Sequence, residues 1–198
     1  MGLKFTYTLI APFYDLVARR AFAKARCVSL EQLPRHGHSD ILLSGIGTGL
    51  DLQYLAPCHR YAALDLNRAM LARGLARAGA LDIGWTQGDS MNLPFGNASF
   101  DYAVLHLILA VVPDPAQALR ETARVVKPGG SILILDKFLK PGDRAPLRRL
   151  LSPLAAAVAT RTDVVFEEVL AQTAGLEVRL DQPALAGGWF RHIRLEKN

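Results

Sequence analysis

Apolar positions along this chain fall into two alternating patterns. Ile41-Leu42-Leu43 is a short run with no polar alternation. Such a run predicts a strand covered on both faces, as in a parallel sheet. Tyr61-Ala62-Ala63-Leu64, the stretch from Asp101 to Leu109, and Ile132-Leu133-Ile134-Leu135 predict further strands. Asp82 to Gln87 predicts another, with few strand-forming residues. Between them the period lengthens. Residues 8–33 place Phe13, Leu16, Val17, Phe22 and Val28 at helical spacing, with a break near Pro12. Residues 68–78 and the first turns of 145–158 also read as helix. Asp114-Pro115 opens a helix, with Asp as the cap and Pro at the first helical position. It is expected to stop at Lys127-Pro128-Gly129-Gly130. Thr162-Asp163 is expected to cap a helix from Val164 to Ala174, ending on Gly175. Leu176–Leu180 and Trp189–Leu195 pair last, the second partly alternating as an antiparallel strand does. Strands alternating with helices predict an α/β, doubly wound sheet.

The strand at Ile41 runs into Gly45-Ile46-Gly47-Thr48-Gly49. Alternate glycines let a backbone turn sharply and approach a ligand closely. A helix is expected from Leu50 to Leu55, so the loop would open onto free N–H groups and partial positive charge. That unit suits a nucleotide-like ligand. Asp65 ends the next strand, where a carboxylate can accept hydrogen bonds from ribose hydroxyls. Asp65 also fits a helix N-cap before Leu66-Asn67-Arg68.

Composition narrows the class. A chain of 198 residues with 51% hydrophobic and 21% charged residues is globular, and its length predicts a single domain over 1–198. Within it, 1–33 is expected to form a helical cap, 41–138 a ligand-binding core, and 139–198 substrate-side helices and final strands. No uncharged apolar run reaches the roughly 18 residues of a spanning helix. Asp15 and Arg19-Arg20 interrupt the first apolar stretch, so no signal peptide is expected. Two cysteines, Cys27 and Cys58, suit a reduced, cytoplasmic protein. His36 and His38 have no carboxylate or cysteine cluster beside them, and no metal is expected.

The net charge is +5. The cations gather in two places: Arg19, Arg20, Lys24 and Arg26, then Lys137, Lys140, Arg144, Arg148 and Arg149. Neither group is interleaved with aromatics, so no nucleic-acid partner is expected. A basic amphipathic helix fits an anionic membrane surface, or equally a helix packed on the sheet over the site.

The succession GIGTG (45–49), ALDLN (63–67), QGDSMNLPF (87–95), SFDYAVLHLILAVVPDP (99–115) and RVVKPGGSILI (124–134) resembles the class I S-adenosylmethionine-dependent methyltransferases. The resemblance implies their Rossmann-like fold, a mostly parallel sheet with an antiparallel final strand, and S-adenosyl-L-methionine as cofactor. It implies that Gly45, Gly47 and Gly49 touch the methionine part, that Asp65 binds the ribose, and that Asp89 and Ser90 meet the adenine edge. Leu66 and Met91 would sandwich the adenine ring. Tyr14, beside Asp15, would begin a helix that folds over the cofactor. Tyr14 and His106 are the catalytic candidates. His106, at the end of a strand, either takes a proton from the methyl acceptor or is a packed histidine holding the loop. Ser44 stands before the glycine loop, where the resemblance leads one to expect an acid that anchors the cofactor ammonium. A hydroxyl there accepts a hydrogen bond but brings no charge, which leaves a degenerate fold with weak or no activity as an alternative. Across most of its length the chain is similar to small bacterial phosphatidylethanolamine N-methyltransferases, and somewhat less to ubiquinone/menaquinone methyltransferases. The implied acceptor is a lipid or small molecule, with a peripheral membrane surface as partner.

Overall fold

The uninterrupted apolar runs become the centre of one sheet. The computed structural model describes residues 21–139 and 163–198. Tyr14, the basic residues Arg19, Arg20, Arg144, Arg148 and Arg149, and the helix expected over 145–158 lie outside the described residues. Helix α1 covers 21–30. There follow β1 (Asp40–Ser44), β2 (Arg60–Asp65), α2 (Arg68–Leu75), β3 (Asp82–Gln87), β4 (Phe100–His106), α3 (Pro115–Val125), β5 (Val126–Lys137), α4 (Phe166–Ala171), β6 (Leu176–Leu185) and β7 (Phe190–Lys197). Among the described residues the sheet has seven strands in the order β3-β2-β1-β4-β5-β7-β6. The pairs from β3 through β5 are parallel, and β7 runs antiparallel to both β5 and β6.

Both faces of the central strands are covered, which explains why those runs do not alternate. Leu42, Leu105, Ile132 and Ile134 face α3 and α4, packing with Leu119, Phe166 and Val169. Ile41, Leu43, Val104 and Leu133 face the other way, with Leu30 of α1, Leu33 just beyond it and Leu71 of α2. The doubly wound, mostly parallel architecture is therefore as the sequence predicts.

The differences have local causes. The helix expected from Leu50 to Leu55 is a single 3-10 turn, Leu52–Tyr54. Leu55 is already extended, and Pro57 disfavours helical backbone at Ala56 before it. The glycine loop thus does not meet an α-helix N-terminus. α4 is shorter than the expected Val164–Ala174, because Leu139 forms a parallel bridge with Val165 and its N–H donates to Val164 O at 2.8 Å. α3 begins as predicted, with Asp114 Oδ1 accepting from Gln117 N–H at 2.9 Å, but ends at Val125 because Val126 already pairs with Phe100. β6 extends past Leu180 to Leu185 and includes Pro183. An edge strand tolerates proline, since one side of it has no ladder to break.

Gly49 is a tight joint between the glycine loop and α2. Its φ is +78°, and an added Cβ would lie 2.8 Å from Leu52 Cδ1 and 3.0 Å from the Gly74 Cα. Gly49→Ala should destabilise the chain by about 1–3 kcal/mol through left-handed strain alone. Urea unfolding checks this, and an unchanged midpoint would show that α2 yields at no cost.

Candidate active site

The carboxyl ends of β1, β2 and β4 open into a cavity of about 350 Å³. Ligands bind at that end of open α/β sheets, where the strand order reverses. The reversal here lies between β1 and β4.

The glycine loop forms the floor. Gly45 and Gly47 border the cavity with φ of +73° and +57°. The Gly45 and Ile46 amides both donate to Leu64 O, which pins the loop to the end of β2. A Cβ placed on Gly47 would meet nothing within 4 Å, so the loop is open toward the cavity there. Gly49 does not border the cavity; it serves the packing described above. Asp65 stands at the rim. Its Oδ2 accepts the Gly47 N–H at 2.8 Å and its Oδ1 accepts the Asn67 N–H at 2.8 Å. Each oxygen keeps a lone pair for a ligand. Burial pushes the Asp65 carboxyl up, outweighing these two hydrogen bonds. The N-cap of α2 is Asn67, whose side chain accepts from Ala69 N–H, so the capping reading of Asp65 is not what the structure adopts.

A second wall is the turn after β3. Asp89 Oδ1 accepts the Met91 N–H at 2.8 Å, curling Asp89-Ser90-Met91 toward the cavity. α3 holds this turn from behind. Gln117 Nε2 donates to Met91 O, and Leu93 N–H donates to Glu121 Oε2. Arg124 donates to Leu93 O and Phe95 O, and beside Glu121 it holds that carboxyl below its ordinary value. Leu66 and Met91 both border the cavity, and Leu66 is 51% exposed, an apolar surface with room for a ring against it.

Ser44 is placed differently from expectation. It is 2% exposed, does not border the cavity, and donates to Ser90 Oγ at 2.9 Å. It therefore steadies Ser90 from behind. Its side chain follows the face of Leu42, into which a carboxylate would have to be buried.

Further charge beside the cavity comes from Arg26 and Asp51, which the sequence reading passed over as site residues, and it meets His106. Arg26 Nη1 donates to Asp51 Oδ1 at 2.7 Å, and His106 Nδ1 lies 3.0 Å from the same oxygen. His106 Nε2 lies 2.9 Å from Ser29 Oγ. All four side chains are buried. Burial alone would raise the Asp51 carboxyl, but His106 and Arg26 outweigh it and hold it well below the usual carboxylate range. An ionised Asp51 can only accept, so Nδ1 of His106 carries the proton. Both ring nitrogens are thus engaged by protein, the packed-histidine arrangement rather than a base open to an acceptor. Two strands away in the same row, His192 Nε2 donates to Ala25 O at 2.9 Å. α1 is fastened at Ala25, Arg26 and Ser29, with Arg26 on the cavity wall. By charge alone Arg26 groups with Arg19, Arg20 and Lys24, yet it is 7% exposed. The available signal was Asp51 itself, an acid between the core residues Leu50 and Leu52.

The remaining wall is apolar. After β4, Leu107 takes φ +60°, and Ile108, Val111, Val112 and Pro113 line the cavity. Asp136, 1% exposed at the end of β5, accepts the Ala110 and Lys137 N–H groups, and burial pushes its carboxyl up to about 6.

Asp51→Ala leaves Arg26 charged and buried without its carboxylate. Removing one partner of such a pair costs about 3–5 kcal/mol. Chemical denaturation should show that loss, and a cost under about 1 kcal/mol would mean the site rehydrates. Asp136 gives a pH dependence of defined sign. A carboxyl whose folded pKa exceeds its unfolded value contributes stability that is present below about pH 4 and lost as pH rises through about 6. Relative to Asp136→Asn, the unmodified chain should therefore lose ground between those values in urea midpoints; a pH-independent difference would contradict the buried carboxyl.

S-adenosylmethionine needs an acceptor for its ribose hydroxyls, a polar edge and apolar slot for adenine, and bare backbone beside its methionine part. Asp65, Asp89 with Ser90, Leu66 with Met91, and Gly45 with Gly47 provide these around one cavity, so the residues fit the group. A methyltransferase-domain family model matches residues 42–134. Phosphatidylethanolamine N-methyltransferase of Cereibacter sphaeroides is 31% identical over 166 residues, covering 79% of this chain and 79% of that protein. A demethylmenaquinone methyltransferase of Mycobacterium sp. (strain KMS) is 31% identical over 204 residues, covering 91% and 85%. Among solved structures, an S-adenosylmethionine-dependent methyltransferase from Mesorhizobium loti aligns with a TM-score of 0.67 at 20% identity, over 89% of this chain and 98% of that one, a likeness of fold. The chain belongs to the S-adenosylmethionine-dependent methyltransferases, and S-adenosyl-L-methionine is its cofactor.

Proposed function

We propose that this enzyme methylates a lipid-borne acceptor, with the amine headgroup of phosphatidylethanolamine as the preferred substrate. The observation that carries this is the cavity wall of Ile108, Val111, Val112 and Pro113, an apolar surface facing the polar rim of Asp65 and Asp89. The long relatives agree in kind: one is named for a phospholipid and the other for a quinone precursor. No described helix is long and apolar enough to cross a membrane. Contact with the bilayer would then be peripheral, through the basic residues of the N-terminal segment, of which Lys24 is exposed. Each such cation near an anionic surface adds roughly 1 kcal/mol of attraction.

When bound, the cofactor supplies a methyl group on a sulfonium, already an excellent leaving group. The protein's work is therefore alignment and exclusion of water more than acid–base chemistry. In this reading Asp65 holds the ribose, Asp89 and Ser90 the adenine edge, and Leu66 and Met91 the ring faces. Gly45 and Gly47 admit the methionine part, while Ile108 and Val111 keep the transfer region dry. His106 maintains α1 and Asp51 in place, and the acceptor amine sheds its proton before it enters. A quinone-type acceptor is the second reading, favoured by the relative that covers 91% of the chain.

Methyl-labelled cofactor offered with phosphatidylethanolamine vesicles, a demethylated quinone and a soluble amine separates these. Label should enter the phosphatidylethanolamine fraction, and more with anionic lipid at low salt. Label in the quinone fraction selects the second reading, and label confined to the soluble amine overturns the lipid proposal. Asp65→Ala should weaken cofactor binding at least tenfold, as a hydrogen bond to a charged group contributes about 1.5–3 kcal/mol. Unchanged affinity by titration would remove Asp65 from the site.

A further inference from the structure

One buried acid next to the cavity has no part in the chemistry above. Asp136 does not border the cavity, yet its carboxylate gathers backbone donors from the loop that does. Oδ2 accepts the Ala110 N–H at 3.1 Å, the Leu109 N–H is also directed at the carboxylate, and Oδ1 accepts the Lys137 N–H at 2.8 Å. Arg191, its register partner on β7, is already taken up by Glu167 and Asp181. Beside these amides the Lys137 cation also attracts the carboxylate, and a charge buried in this way is costly unless its donors are held in place.

The loop it grips is under constraint at both ends. Leu107 continues the sheet for one residue, donating to Leu135 O at 2.8 Å, and then turns through φ +60°, a conformation unfavourable for leucine. Val111 and Val112 both donate to Ile108 O, closing a tight turn. Ile108 projects into the space that Gly45 leaves empty: a Cβ on Gly45 would lie 2.7 Å from Ile108 Cδ1. A shift of this loop is therefore felt at the glycine loop as well as at the apolar wall.

We propose that Asp136 is a positioning residue, whose carboxylate locks the 107–113 loop and so sets both the apolar wall and the seat of the glycine loop against the cofactor. The proposal rests on the cavity being the cofactor site. It does not depend on which acceptor is methylated. The carboxylate is specific to the task, because it offers acceptors in two directions. Asparagine keeps one acceptor oxygen and turns its NH₂ toward a backbone N–H; alanine keeps none.

The test uses Asp136→Asn and Asp136→Ala in the full chain, well below their thermal midpoints. Titration with S-adenosylmethionine should show affinity weakened at least tenfold, and more in the alanine variant. Amide exchange should speed at least tenfold in peptides covering 107–113, and stay within twofold in peptides covering 40–44 and 60–65. With any acceptor that supports turnover, KM for the cofactor should rise while kcat at saturation stays within threefold. Affinity within twofold of the unmodified chain overturns the proposal, as does exchange that rises evenly across the sheet. If neither variant folds, the unmodified chain decides. The Leu109 and Ala110 amides should exchange as slowly as those of β4, and rapid exchange there overturns the lock. Cofactor binding needs no acceptor, so failure of the lipid reading leaves this result unaffected.

Discussion

Asp51 carries a full negative charge where almost no water reaches it, and the site is arranged around satisfying that charge. Arg26 brings a cation from α1 and His106 brings an N–H from the end of β4, both to one oxygen. A helix, the turn after the glycine loop and a central strand are thereby held at a fixed separation. Desolvation makes such a cluster costly if any member is missing. The same cost makes the arrangement selective, because a misplaced α1 would leave the carboxylate stranded. Leu30 and Leu33 then continue the same side of the chain into the core. The polar joint sets where α1 lies, and the apolar packing supplies the bulk of the holding energy.

The cavity shows a second use of the same physics. The carboxylates at the cavity are held by backbone amides, Asp65 by Gly47 and Asn67 and Asp89 by Met91, and so is Asp136 behind the wall, by Ala110 and Lys137. A carboxylate so held cannot swing, and it keeps lone pairs pointed in a known direction. Preorganisation of this sort suits methyl transfer, in which geometry and dryness count for more than proton traffic. His106 is held likewise, with both ring nitrogens engaged within the protein.

Much of this was legible in the chain. The uninterrupted run at Ile41, the glycine loop, the Asp114-Pro115 helix start and the acid ending β2 each express physics that acts within a few residues. Covered strands need apolar residues on both faces, left-handed backbone needs glycine, and a helix start needs a cap. Those signals marked Gly45, Gly47 and Asp65; the family resemblance added Leu66, Asp89, Ser90 and Met91, and all seven border one cavity. The family that the resemblance implied is the one the comparisons establish.

The tertiary structure alone decided the rest. Arg26 and Asp51 are 25 residues apart, Asp51 and His106 are 55 apart, and nothing local marks them as partners. By charge Arg26 belongs with Arg19, Arg20 and Lys24; only the seating of α1 on the sheet turns it inward. Ser44 looked like a ligand because it precedes the loop, but strand alternation sends its side chain to the face of Leu42 and away from the cavity. Asp136 lies one residue past the expected strand Ile132–Leu135, and it meets the loop after β4 because parallel pairing puts β5 beside β4 in a register that no short-range pattern encodes. The sequence by itself determined the fold class, the glycine loop and the acid ending β2, since each follows from backbone sterics or burial within one element. Which buried charges meet, and which side chains reach the cavity, depended on strand register and helix seating, which are properties of contacts between segments far apart in the chain.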